Sequence, residues 1–322
     1  MLKHILALLA TLVSWHALAA PSDCKLIRIE EWPVHLERNL PVIDGEINGN
    51  KVGILIDTGS ERSFVTRSAV NRMTLNRANV GTTGLESARI EELRIGPAKR
   101  RDWSVLVSPE QDFGPEVVSL ILGHDFFAAI DVEFDLPNRA VRLFQPRDCA
   151  GTSLAYWSEG RSGEAQLQGN SEMLVSVAVN GRPILAILDS GASVSALTMA
   201  EAVRFGVNAK SPGVATAGCS TGIGRPALDY WSAPVESFAI GNEVIRNPTL
   251  RIADFTRDTM VSQVGGRQAA SRFAARPEMI LGMDFLRAHR VLVANSQRKV
   301  YFTYAGGTVF PTGNDKTCRD LR

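Results

Sequence analysis

Aromatic residues are scarce, 7% of 322, and no tyrosine occurs before Tyr156. A sugar-cleaving cleft wants an aromatic platform beside its acids, so this shortage counts against one. Neither sign of charge is in excess: 35 Lys and Arg against 34 Asp and Glu leave a formal net charge of +1. That balance offers no basic surface to nucleic acid or to an anionic membrane, and the cluster Lys99-Arg100-Arg101 reads as a solvated hairpin tip. Beyond the first twenty residues no apolar run is long enough for a membrane span. Histidine is rare as well. His35, His124 and His289 lack metal-ligand spacing, and His124, following a glycine, reads as a packed or hydrogen-bonded side chain. No serine sits in a Gly-x-Ser-x-Gly elbow and no phosphate loop is present.

What is present is a repeat. Ile54-Leu55-Ile56-Asp57-Thr58-Gly59 returns 132 residues later as Ala186-Ile187-Leu188-Asp189-Ser190-Gly191. One such triplet is an ordinary turn, but the surroundings repeat too. At the same offset Asn48-Gly49 aligns with Asn180-Gly181, a hairpin signal ahead of an apolar strand, and Ser63 and Thr66 align with Ser195 and Thr198. A second phrase follows at an offset of 159, Leu120-Ile121-Leu122-Gly123-His124-Asp125-Phe126 against Met279-Ile280-Leu281-Gly282-Met283-Asp284-Phe285. Between them Leu93-Arg94-Ile95-Gly96 echoes Phe238-Ala239-Ile240-Gly241 at 145. Collinear repeats whose spacing grows only by insertion indicate an internal duplication.

With 45% hydrophobic residues the chain can bury two sizeable cores. Alternating runs such as Leu174 to Val179, Arg89 to Ile95 and Val300 to Tyr304 predict strands, so the fold class is all-β with a few short helices. Asp125 and Asp284 each read as the cap of a one- or two-turn helix, and Thr198 to Phe205 as another short helix. Residues 1–19, with a basic start, an apolar stretch and Ala17-Leu18-Ala19, read as a signal peptide that exports the chain to periplasm or medium. A leader at 20–39, a first lobe at 40–150, a polar linker at 151–170 and a second lobe at 171–322, with an insertion near 256–276, complete the expected organisation. Four cysteines in an exported chain favour disulfides. Three connectivities are open, and the simplest keeps each bridge within a lobe, Cys24 with Cys149 and Cys219 with Cys318.

The paired apolar-apolar-Asp-Thr/Ser-Gly and apolar-Leu-Gly-x-Asp-Phe phrases resemble the aspartic peptidases, and among them the retropepsin-like group. Ser60-Glu61-Arg62 after the first triplet, and the lack of an early tyrosine, depart from the pepsin-like branch. The resemblance implies a two-lobed barrel fold with pseudo-twofold symmetry and a central cleft. It implies Asp57 and Asp189 as the catalytic pair, Thr58 and Ser190 as hydroxyls bracing the two loops, and Gly59 and Gly191 as points of close backbone approach. Gly123 and Gly282 would pass under each loop, and Val80 to Leu85 or Ala217 to Gly224 would supply a flap. It further implies an endopeptidase acting on polypeptide, with water activated between two aspartates and neither metal nor organic cofactor, and two lobes in one chain would make the monomer self-sufficient. The alternative is a catalytically silent module of the same build that binds extended peptides or another ligand.

Overall fold

The computed structural model describes residues 23–108, 117–169, 173–208, 210–221, 227–254 and 277–313. The expected signal peptide at 1–19 and the insertion near 256–276 lie outside the described residues. The chain is mainly β, with a few short helices, in two lobes.

Each lobe grows from a hairpin that Asn-Gly specifies. Leu40–Ile47 returns as Asn50–Ile56 with Ile47 opposite Asn50, and Leu174–Val179 returns as Arg182–Leu188 with Val179 opposite Arg182. A two-residue loop of this type needs positive φ at both central positions. Asn48 and Gly49 take 49° and 80°, and Asn180 and Gly181 take 50° and 75°. The asparagines also tie the turn to the next strands. Asn48 Oδ1 accepts the N–H groups of Glu91 and Glu92, both at 3.0 Å, and Asn180 Oδ1 accepts those of Glu236 and Ser237 at 2.8 and 3.1 Å.

The returning strands end in Ile54-Leu55-Ile56 and Ala186-Ile187-Leu188, all buried, so they read as continuous apolar runs rather than alternating ones. Each lies parallel to a second apolar strand, Asn50–Ile56 beside Val118–Leu122 and Arg182–Leu188 beside Met279–Leu281. The two repeated phrases of each lobe are therefore neighbours in space. In the first lobe the sheet curls until Leu40–Ile47 also pairs with Glu86–Ile95, which closes it towards a barrel. Its hairpin to Ala98–Val107 carries Lys99 and Arg101 against Glu92 at 3.8 and 3.5 Å, while Arg100 lies over the Trp103 ring at 4.2 Å.

Six strands form a sheet shared by the lobes, in the order Lys25–Pro33, Ala140–Arg147, Asp131–Asp135, His289–Ala294, Lys299–Tyr304, Gly163–Gln168. The seam is the antiparallel pair Asp131–Asp135 and His289–Ala294. Glu133 on that seam is fully buried, and it is held by Arg142 Nη1 at 2.8 Å, Arg290 Nε at 2.7 Å and the Tyr156 hydroxyl at 2.7 Å. A carboxylate is tolerated there because charged donors replace water. Gly163–Gln168, within the stretch expected as a linker, is the last strand of this sheet, and its Leu167 and Gln168 pair onward with Val175 and Leu174 of the second lobe. At the opposite edge Cys24 and Cys149 form the expected disulfide, next to the Lys25–Arg147 pair. Cys219 is disulfide-bonded as well, and its expected partner Cys318 lies outside the described residues.

Two short helices complete the repeat, Arg67–Met73 and Met199–Arg204. The hydroxyls of Thr66 and Thr198 cap them by accepting the N–H of Ala69 and Glu201, each at 3.2 Å. The second was expected from sequence; the first was not.

Candidate active site

Asp57 and Asp189 are the first residues beyond the two buried strands. Their own N–H groups extend the parallel ladder by one bond, to Leu122 O and Leu281 O, each at 2.9 Å. The chain then turns tightly around each carboxylate. Asp57 Oδ1 accepts Gly59 N–H at 3.0 Å and Ser60 N–H at 3.1 Å, and Asp189 Oδ1 accepts Gly191 N–H at 2.8 Å. One oxygen of each acid is thus oriented by backbone.

The two loops are joined by their hydroxyls. Ser190 N–H donates to Thr58 Oγ1 at 2.9 Å and Thr58 N–H donates to Ser190 Oγ at 3.0 Å. Each hydroxyl then donates onward into the other lobe, Thr58 Oγ1 to Leu188 O at 2.7 Å and Ser190 Oγ to Ile56 O at 2.8 Å. Thr58 and Ser190 are buried, at 2% and 0% exposure, so each unmade bond here would carry a full desolvation penalty.

Close approach explains the glycines. A Cβ placed on Gly59 would lie 2.3–2.6 Å from the Asp189 carboxyl atoms, and one on Gly191 would lie 2.4–2.5 Å from those of Asp57. Each carboxylate therefore rests against the glycine of the opposite loop, and the structure brings Asp57 and Asp189 together at the lobe interface. They are 8% and 9% exposed. Two acids so close can share a proton, which fits them for acid and base work in one step.

Gly123 and Gly282 pass beneath these loops. A Cβ on Gly123 would meet Arg62 O at 2.5 Å and Ser60 O at 2.8 Å, and one on Gly282 would meet Ala192 O and Val194 O at 2.7 Å. The crossing is fastened by His124 N–H to Ser60 O at 2.7 Å and Met283 N–H to Ala192 O at 2.9 Å.

The helix-cap reading of Asp125 and Asp284 is wrong. The caps of His124–Phe127 and Met283–Ala288 are Gly123 and Gly282, with no side-chain cap bond, although Asp284 Oδ1 does accept the N–H of its neighbour Phe285 at 2.9 Å. Instead, Asp125 Oδ1 accepts the Ser63 hydroxyl at 2.7 Å, and Asp284 Oδ1 accepts both the N–H of Ser195, at 2.8 Å, and its hydroxyl. Ser63 Oγ and Ser195 Oγ in turn accept the N–H of Gly123 and Gly282, at 3.1 and 2.8 Å. These four side chains clamp each loop to the strand crossing under it. Sequence reasoning missed the clamp, although its signal was present in the duplicate alignment of Ser63 with Ser195.

Of the expected flap segments, Val80 to Leu85 is the exposed tip between Arg77–Asn79 and Glu86–Ile95, closed by Val80 N–H to Leu85 O at 2.9 Å. In the second lobe Ala217 to Thr221 belongs to the strand Ala215–Thr221, and Gly222 to Gly224 lie outside the described residues. His289 is buried, with ring nitrogens against Phe285 O at 2.8 Å and Glu243 Oε1 at 3.0 Å.

Two family models match the chain, one in each lobe. Residues 43–129 match gag-polyprotein putative aspartyl protease and residues 175–285 match aspartyl protease. No curated protein matches it.

Proposed function

Because both lobes of this chain are of the retropepsin-like aspartic peptidase family, we propose that it is an endopeptidase whose catalytic pair is Asp57 and Asp189. The observation that carries this reading is the reciprocal joining of the two loops, with each carboxylate lying on the opposite loop's glycine. In the proposed reaction one proton is shared by the pair. The ionised member takes a proton from water, the resulting nucleophile attacks the peptide carbonyl, and the protonated member donates to the carbonyl oxygen. The tetrahedral intermediate collapses as a carboxyl returns a proton to the leaving nitrogen. Atoms balance with one water consumed per bond cleaved.

Thr58 and Ser190 serve this reaction by position, since a displacement of about 1 Å can cost on the order of a hundredfold in rate. The substrate is polypeptide, and one chain supplies both acids, so a monomer suffices. The bridge Cys24–Cys149 is compatible with an exported protein. No helix among the described residues is long and apolar enough to cross a membrane.

Cleavage of a mixed peptide library, read by mass spectrometry, tests the proposal. The Asp57→Asn and Asp189→Asn variants are expected to keep the far-ultraviolet circular dichroism of the parent and to lose about 10²–10⁴-fold in turnover. Undiminished cleavage by either purified variant would remove the dyad.

A further inference from the structure

The two lobes differ at a partly buried position beside the second aspartate loop. Val65 pairs in parallel with Val107, and its repeat equivalent Leu197 pairs in parallel with Ile252. The preceding residues, Leu106 and Arg251, therefore correspond, at the same offset of 145 that relates Gly96 to Gly241. An arginine stands where the first lobe has leucine.

Arg251 is poorly accommodated if its role is structural. Its side chain is 11% exposed, and the nearest carboxylate is Asp284, with Nη1 and Oδ2 3.7 Å apart. Neither of those atoms makes a hydrogen bond. Asp284 Oδ1 is already committed to Ser195 and to Phe285 N–H at 2.9 Å. Nor does the aspartate need an arginine to hold its serine, because Asp125 holds Ser63 in the first lobe, where the residue corresponding to Arg251 is Leu106. Burial depresses the Arg251 pKa and raises that of Asp284, so each charge is disfavoured where it stands.

What lies on the other side of Arg251 supplies a reason. It lines a cavity of about 450 Å³ together with Ser193, Val194, Gly218, Tyr230 and Thr312. Arg251 is the charged residue of that lining among the described residues. Ser193 and Val194 continue the loop that begins at Asp189, which Ala192 N–H closes onto Asp189 O at 3.2 Å. Gly218 and Tyr230 are paired across the hairpin of Ala215–Thr221 and Ala227–Pro234. The cavity thus lies between the second acid's loop and the strand pair that carries Gly218 and Tyr230. Its volume falls in the range of small-ligand sites.

Resting on the peptidase reading, we propose that this cavity is a specificity subsite for an acidic side chain, Asp or Glu, of the bound peptide, with Arg251 as the residue that recognises the carboxylate. A guanidinium presents its donors in a fixed fork matched to carboxylate geometry, and that charged, bidentate match favours a carboxylate over an uncharged isostere.

The test uses C-terminally amidated peptides with a central statine, which bind without being cut, carrying Glu or Gln at each position flanking the statine in turn. Binding is read by fluorescence polarisation against the full chain and its Arg251→Leu variant, which restores the first-lobe residue. At one position the parent is expected to favour Glu over Gln by about tenfold or more, and Arg251→Leu to bring the ratio to about one. Arg251→Lys, which keeps a charge opposite Asp284, is expected to stay folded and retain a reduced preference. Equal binding of Glu and Gln peptides at every position, selectivity that survives in Arg251→Leu, or no binding of any statine peptide would overturn the proposal. Cleavage of the matching substrates is measured in parallel. Charge-selective binding without cleavage would sink the peptidase reading and leave the subsite standing.

Discussion

Thr58 and Ser190 each receive the other's backbone N–H, at 2.9 and 3.0 Å, although 132 residues separate them. Each hydroxyl then donates a hydrogen bond to a carbonyl at the end of the opposite strand, Leu188 O or Ile56 O. The consequence is that neither acid-bearing loop has a fully hydrogen-bonded backbone on its own. Lobe association and site assembly are one event.

Ser190→Ala strips a partner from both Thr58 N–H and Ile56 O, and Thr58→Val does the same to Ser190 N–H and Leu188 O. A buried group left unpaired costs about 1–3 kcal/mol. Urea denaturation of both single variants and the double is expected to show destabilisation by each, with the double less destabilised than the sum by more than about 0.5 kcal/mol. Strict additivity would mean that the two loops are braced independently.

Gly59→Ala and Gly191→Ala probe the approach of the acids without removing either one. The added methyl would fall within 2.6 Å of the facing carboxyl atoms, so the loops must separate. Both variants are expected to lose at least about a hundredfold in peptide turnover while a thermal melt still shows a cooperative transition. Near-parental turnover would mean that the carboxylates need not stay this close.

The parts of this fold legible in the sequence are those set by neighbours along the chain. Asn48-Gly49 and Asn180-Gly181 each specify a two-residue turn, and the apolar runs after them must be buried strands. Duplication then made Asp57 and Asp189 stand out, because both copies keep the same triplet. Long-range contacts were legible only where the repeat, the resemblance or the cysteines flagged them. Asp125 beside a short helix reads as a cap, yet its hydroxyl partner Ser63 is 62 residues away, and Asp284 reaches back 89 residues to Ser195. Helix Arg67–Met73 lacks an acidic first turn, whereas Met199–Arg204 carries Glu201 there. Arg251 drew no notice because an arginine in an alternating strand reads as solvent-facing. In the structure it lies opposite Ser232, with its side chain 11% exposed.

His124 offers a pH test with an internal control, since Met283 occupies the same place in the second lobe. His124 is half-buried, with Nδ1 lacking a hydrogen-bond partner. Burial first, then the positive charge of Arg298, holds its pKa below the ordinary 6.5, with Asp125 opposing. The unfolded chain therefore takes up this proton before the native one does. Stability from the neutral ring is whole above pH 6.5 and is lost as pH falls from there through the lower folded value. His124→Met removes the titration. The unfolding free energy of the parent minus that of the variant is expected to decline as pH is lowered past 6.5 and then level off. Parallel stability curves across that interval would show that His124 does not titrate in this way.

The bridge between Cys24 and Cys149 closes a span of 125 residues and fastens the edge strand Lys25–Pro33 to Ala140–Arg147. Loop-closure entropy for so long a span predicts a contribution approaching about 5 kcal/mol, with measured values commonly lower. The Cys24→Ala/Cys149→Ala double variant tests this without touching Cys219, which a reducing agent would also attack. It is expected to lose about 2–5 kcal/mol in urea denaturation. Amide exchange should rise first in Lys25–Pro33, whose one strand partner among the described residues is Ala140–Arg147. If exchange instead rose evenly across all six strands of that sheet, the bridge would be holding the lobes together as a unit. The expectation of a local fastening rests on the seam being secured separately, by Glu133 and its two arginines.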